Sequence, residues 1–116
     1  MLSRCRGRGA ESASILAQAG YRVEQNPVIA GTSREPDYLI EGRIFDCYAP
    51  TSSKPRFIAS TLEGKIEKGQ AQRFILNLED SNVDINVLRQ QFTQYPVPGL
   101  KEIIIIKHGQ VQPFIP

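Results

Sequence analysis

Along this chain the apolar positions change period several times, and those changes divide it into elements. From Ala10 to Ala19 the residues Ala13, Ile15, Leu16, Ala17 and Ala19 follow without a breaker, a helical run that Gly20 stops. Tyr21 to Gln25 suits a short strand, and Pro27 to Pro36, with Gly31, Thr32 and Ser33, is a turn-rich loop. Asp37 to Tyr48 then holds two β-prone runs around Glu41-Gly42, which predicts a hairpin closed by a two-residue turn. Past the Pro50–Pro55 punctuation, Ile58, Leu62 and Ile66 recur every fourth residue and predict one face of a helix ending near Gly69. Lys65 and Lys68 are expected on the side opposite that face.

The second half repeats the alternation. Arg73 to Leu78 reads as a strand, and Asp84 to Tyr95 as an amphipathic helix using Ile85, Leu88 and Phe92, closed by Pro96, Pro98 and Gly99. Ile103 to Ile106 is an unbroken β-branched run, the pattern of a strand covered on both faces. Its place after a strand and a helix predicts pairing parallel to Arg73–Leu78. Val111 to Phe114 contains Pro113, which cannot donate to a ladder, so that strand belongs at an edge. The expected fold is a single α/β domain, a mixed β-sheet flanked by helices in two or three layers.

Composition narrows the class. At 116 residues, 41% hydrophobic and 22% charged, the chain has the bulk of one ordinary domain. It shows neither an apolar run long enough to span a bilayer nor the apolar centre of a secretion signal in its first residues. We therefore expect a soluble chain with no membrane-spanning segment. Fourteen basic against 12 acidic residues leave a net charge of only +2, well short of a strongly basic nucleic-acid binder. The local excess is at the start, where Arg4, Arg6 and Arg8 precede the first acid, Glu11. Residues 1–9 thus read as a basic flexible arm or linker, able to touch phosphate or simply solvated, ahead of a folded domain over residues 10–116.

Two cysteines and one histidine are too few for a disulfide framework or a four-ligand zinc site. Cys47, in an apolar strand, is expected to be a buried small hydrophobe, and Cys5 to lie in the mobile arm. His108, the single histidine, stands beside Gly109 in an expected turn, which rules out a two-histidine acid–base mechanism. Gly-x-Ser-x-Gly elbows, phosphate-cradling glycine loops and dinucleotide fingerprints are missing too.

What remains is acidic. If Glu41-Gly42 is a two-residue turn, Ile40 pairs with Arg43, and counting back brings Asp37 directly opposite Asp46. Opposed residues share a face with β-carbons about 4.5 to 5.5 Å apart, where two like charges destabilise the sheet. A hard divalent cation compensates such a pair, since magnesium is held by one or two carboxylates together with waters and a substrate phosphate. Water between the acids, or arginines such as Arg34 and Arg43, would do so without a metal. Glu11, in the first turn of its helix, is accounted for by the helix dipole, and Lys65 by an ordinary solvated helix face.

Several ordered segments change the weight of these residues. They are Glu-Ser-Ala-Ser-Ile-Leu-Ala-Gln-Ala-Gly-Tyr from Glu11, Pro-Asp-Tyr-Leu-Ile-Glu-Gly-Arg-Ile-Phe-Asp from Pro36, Lys-Gly-Gln-Ala-Gln-Arg-Phe-Ile-Leu-Asn-Leu from Lys68 and Gly-Leu-Lys-Glu from Gly99. Over about residues 10 to 116 the chain resembles the C-terminal toxin domain of the CdiA contact-dependent growth inhibition proteins, of the transfer-RNA nuclease type. That resemblance implies a variant of the PD-(D/E)xK nuclease core. It also implies an active site of Glu11, Asp37, Asp46 and Lys65, in which the three acids bind a divalent metal ion such as Mg2+ and the lysine supports attack on phosphate. One departure stands out: the lysine's usual place, two residues past the second acid, is Tyr48. The resemblance supplies Lys65 from the next helix instead, with Lys68 as competitor and Thr61 and Gln70 as possible assistants.

The function so implied is a metal-dependent endonuclease toxin that cleaves transfer RNA. It would be delivered from the producer's surface within a large exoprotein and act in the target-cell cytoplasm as a monomer. A cognate immunity protein would cover the site. Two alternatives stay open at this point: a DNA endonuclease toxin of the same fold, and a non-catalytic protein-binding module.

Overall fold

A computed structural model describes residues 5, 8–27 and 36–116. Residues 28–35 of the expected turn-rich loop, Arg34 among them, and Arg4 and Arg6 of the basic arm lie outside the described residues. The elements run α1 (Gly9–Gln18), β1 (Val23–Gln25), β2 (Tyr38–Ile40), β3 (Arg43–Tyr48), α2 (Pro55–Glu67), β4 (Arg73–Asn77), α3 (Ile85–Gln94), β5 (Glu102–Lys107) and β6 (Gln110–Ile115). This is the order and type that the periodicity predicts, with ends shifted by a residue or two.

The six strands form one sheet in sequence order, β1-β2-β3-β4-β5-β6. β1–β2–β3 and β5–β6 pair antiparallel, whereas β3–β4 and β4–β5 pair parallel across α2 and α3. The parallel centre is where Ile103–Ile106 sits, buried on both faces as an unbroken β-branched run requires. Pro113 stands opposite Ile104 on the edge strand β6, beside a register irregularity.

Strand alternation sends side chains to two cores, so the domain has three layers. Phe74, Leu76, Ile103, Ile105 and Tyr48 meet α2 and α3 through Ile58, Leu62, Leu88 and Phe92. Tyr38, Ile40, Phe45, Cys47, Ile75, Ile104 and Ile106 meet α1 through Leu16. No helix among the described residues is long and apolar enough to cross a membrane.

Helix ends follow local chemistry. The Tyr21 N–H reaches the Leu16 carbonyl and the Gly20 N–H that of Ala17, and the same pair of bonds, Gln70 to Lys65 and Gly69 to Ile66, ends α2. Both are Schellman ends, whose turning residue needs a left-handed backbone, and Gly20 and Gly69 supply it at φ of +103° and +75°. α3 starts at Asp84, whose side chain accepts from the Val87 N–H at 3.0 Å.

Two expectations about the cysteines and the arm are corrected. Cys5 is buried and disulfide-bonded to Cys47, so neither is a lone thiol and Cys5 does not sit in a loose arm. A pairing between distant residues leaves no local periodic signal, and two cysteines are equally compatible with two free thiols. Arg8 is likewise committed: it donates to Asp80 at 2.8 Å and to Glu11 at 2.6 Å. The hydrogen bonds to Asp80 and Glu11 raise its pKa further, so it stays cationic.

Breaking the disulfide with Cys5→Ser should lower stability by about 3 to 4 kcal/mol on a loop-closure argument for the 42-residue separation. Chemical denaturation should show this loss, and reducing agent should bring the native chain to the same midpoint while leaving the variant unmoved. Asp84→Ala should cost about 1 kcal/mol through loss of the α3 cap, seen in the same melts as a shift independent of reductant.

Candidate active site

Glu41 and Gly42 take φ of +50° and +79°, the left-handed pair of a type I′ turn. The register that follows is Ile40↔Arg43, Leu39↔Ile44 and Tyr38↔Phe45. Asp37 therefore stands beside Asp46, as the sequence count requires. The geometry shows each acid oriented by backbone: the Asp37 N–H donates to Asp46 Oδ1 at 3.2 Å, and the Cys47 N–H donates to Asp37 Oδ2 at 2.8 Å. Both side chains are nearly buried, at 9% and 8% exposure. Two carboxylates fixed in this way form a compact, oxygen-only donor set.

Alternation along β3 assigns Asp46 a face. Phe45 and Cys47 point to the α1 side, so Ile44, Asp46 and Tyr48 point to the α2 side. Lys65 arrives there from α2. It was expected opposite the apolar stripe, yet it is only 5% exposed and lies on the stripe itself. The reason is helical geometry, since Ile58, Leu62 and Lys65 stand at i, i+4 and i+7. Its ammonium lies over the Tyr48 ring, 5.4 Å from the centroid. The Gln70 N–H bond to the Lys65 carbonyl and Gly69 fix the helix end that carries it.

Lys68, the competing lysine, is exposed at the end of the same helix. Thr61 donates its hydroxyl to the Phe57 carbonyl at 3.0 Å, and Gln70 serves the helix end through its backbone. Arg43, weighed as a counter-charge for the acids, lies 3.6 Å from Glu102 instead. His108 occupies the β5–β6 turn at φ of +54°. Burial pushes the Glu79 carboxyl up, but the Gly109 and His108 N–H groups that bind it outweigh this and hold it below its usual range.

Glu11 is placed differently. It lies on α1, the helix packed on the other face of the sheet, with its side chain 47% exposed and bonded to Arg8. Among the described residues no three acid, cysteine or histidine side chains come together around a point that could hold a metal ion. The three-acid cage implied by the resemblance is therefore not assembled in this arrangement, while the Asp37–Asp46 pair is. Two carboxylates fit a magnesium-like ion, whose remaining positions water and phosphate oxygens fill.

What the sequence did not reveal is the polar seam beneath α1. Ser12 is fully buried, accepting from Asn77 Nδ2 at 2.9 Å and lying 3.9 Å from Cys47 Sγ. The Tyr38 hydroxyl donates to the Gly9 carbonyl at 2.7 Å. Burial pushes that phenol up to about 12, a Ser12 hydrogen bond opposes the rise, and the Asp37 charge adds to it. The seam pins the helix that carries Glu11 to the strands that carry the aspartates. Its one sequence signal is that Ser12 precedes inward-facing Leu16 by four residues.

The contact-dependent growth inhibition CdiA C-terminal domain model matches residues 34–111. The protein called tRNA nuclease CdiA-2 of Burkholderia pseudomallei (strain 1026b) is 43% identical over 96 residues, covering 83% of this chain. The chain corresponds to only 3% of that much longer relative. A solved CdiA-CT/CdiI toxin and immunity complex from Burkholderia pseudomallei superposes with a TM-score of 0.87 at 40% identity, over 94% of this chain and 83% of that one. In sequence and in architecture alike, this chain belongs to the contact-dependent growth inhibition CdiA C-terminal domain family.

Proposed function

We propose that the chain is a toxin nuclease cleaving transfer RNA, with Asp37, Asp46 and Lys65 at the reacting phosphate. The observation that carries the chemistry is the acid pair set by the hairpin and faced by a buried lysine. The substrate follows from the relative named a tRNA nuclease. Asp37 and Asp46 would hold a divalent ion, Mg2+ by the hardness of their oxygens, and the ion when bound would polarise the phosphate and lower the pKa of water.

This chain's own groups do the rest. The backbone N–H bonds fix the acids so that little reorganisation accompanies binding. Lys65 offers a cation to the charge growing on the phosphate oxygens, from a site that excludes most water. Glu11 is engaged by Arg8 and would help to hold the ion only on releasing that partner. Action in a target-cell cytoplasm after delivery within a large exoprotein fits the family, and the toxin–immunity neighbour supports a cognate immunity protein as partner.

Incubation with bulk transfer RNA and supercoiled plasmid in Mg2+ should cut the RNA, leave the plasmid intact, and stop with a chelator. Asp46→Asn should lower cleavage by roughly 1,000-fold or more, the scale of losing a metal-site or electrostatic group, with a native circular dichroism spectrum. Nicked plasmid beside intact RNA would overturn the substrate, and full activity in Asp46→Asn would overturn the site.

A further inference from the structure

Beside the acid pair lies a trough of about 490 Å³. The start of β3 forms one wall with Arg43 and Ile44, and the end of α2 with the approach to β4 forms the other with Ile66, Gly69, Gln72 and Arg73. It adjoins the site at two points. Ile44 precedes Asp46 by two residues and shares its face of β3, and Ile66 follows Lys65 at the end of α2. For a polymer held at the aspartates, the trough is the next stretch of surface.

Its charge suits a polyanion. In a groove between α2 and α3, Arg56 is balanced by Glu63, whereas the trough is lined by Arg43 and Arg73 and by no carboxylate among the described residues. The acid that holds the two arginines stands outside the lining: Arg73 Nε donates to Glu102 Oε1 at 3.2 Å, and Arg43 Nη1 lies 3.6 Å from the same oxygen. Two cations on one carboxylate leave net positive charge. The Arg43 contact is longer than a hydrogen bond and its side chain is 57% exposed, so its planar fork can take a phosphate without giving up a hydrogen bond to Glu102. Ile44 and Ile66 add apolar wall, against which a ribose or base can lie.

We propose that this trough binds the RNA strand next to the scissile bond, with Arg43, backed by Arg73, on a backbone phosphate and the adjoining nucleoside against Ile44 and Ile66. Such a contact positions the strand and reads no sequence. The inference rests on the active-site reading above and makes Arg43 a substrate-binding residue that takes no part in the chemistry.

The test is binding of bulk transfer RNA by the 116-residue chain as its Asp46→Asn variant, which keeps the RNA whole, over a range of salt concentrations. Adding Arg43→Gln should weaken binding roughly 3- to 10-fold and lower the slope of log affinity against log salt by about 1, the loss of one phosphate contact. Arg43→Lys keeps the charge and should keep the slope. Arg56→Gln, in the groove where Glu63 balances it, should change neither. With Asp46 restored, Arg43→Gln should raise KM and leave kcat within about twofold, because the contact is made equally in the ground and transition states.

Native affinity and slope in Arg43→Gln, or an equal loss of slope in Arg56→Gln, overturns the proposal. So does a fall in kcat with KM unmoved. Native-rate cleavage by Asp46→Asn overturns the active-site reading and this inference with it, whereas an inactive Asp46→Asn whose RNA binding is indifferent to Arg43→Gln overturns this inference alone.

Discussion

Two aspartates placed side by side on a buried face constrain the rest of this structure. The β2–β3 turn sets Asp37 against Asp46, and a one-residue slip would send every side chain of the strand to the opposite face. Glu41 and Gly42, in left-handed conformations, hold that register. The parallel pairing of β3 with β4 then fixes Asp46 and Tyr48 against Phe74 and Leu76, and the crossover helix α2 has to cover that face. The lysine on its buried stripe follows from the same crossover.

On the other face, α1 is bound by bonds of a different kind. Ser12 to Asn77 ties it to β4, while Tyr38 to the Gly9 carbonyl and the Cys5–Cys47 disulfide tie it, or the residues before it, to the two strands of the acid pair. Cys47 has two duties: its sulfur anchors the N-terminal region while its N–H orients Asp37. Packing and site geometry are thus coupled through a single residue. Arg8, bridging Glu11 and Asp80, sets the position of the remaining acid.

The order of the elements was legible in the sequence because each carries its own period and stop signals, from Gly20 and Gly69 to the four consecutive isoleucines. The aspartate pair was legible for the same reason, since a two-residue turn converts sequence count into spatial opposition. Lys65 was misplaced because the stripe was drawn through Ile66, while the helix buries position 65. The disulfide, the Ser12–Asn77 bond and the Lys65–Tyr48 contact join residues far apart in the chain. Such contacts depend on how layers meet, and no local pattern encodes that. The relation of Glu11 to the aspartates belongs to the same class.

The central claim is that the Asp37–Asp46 pair is built to receive a divalent cation. Its most direct test is the thermal midpoint of the native chain and of Asp46→Asn with increasing Mg2+ or Mn2+, free of RNA. A ligand that binds the folded pair must raise the midpoint in proportion to its occupancy. The account predicts a saturable rise for the native chain and none for the variant; an equal rise in both, or none in either, would contradict it.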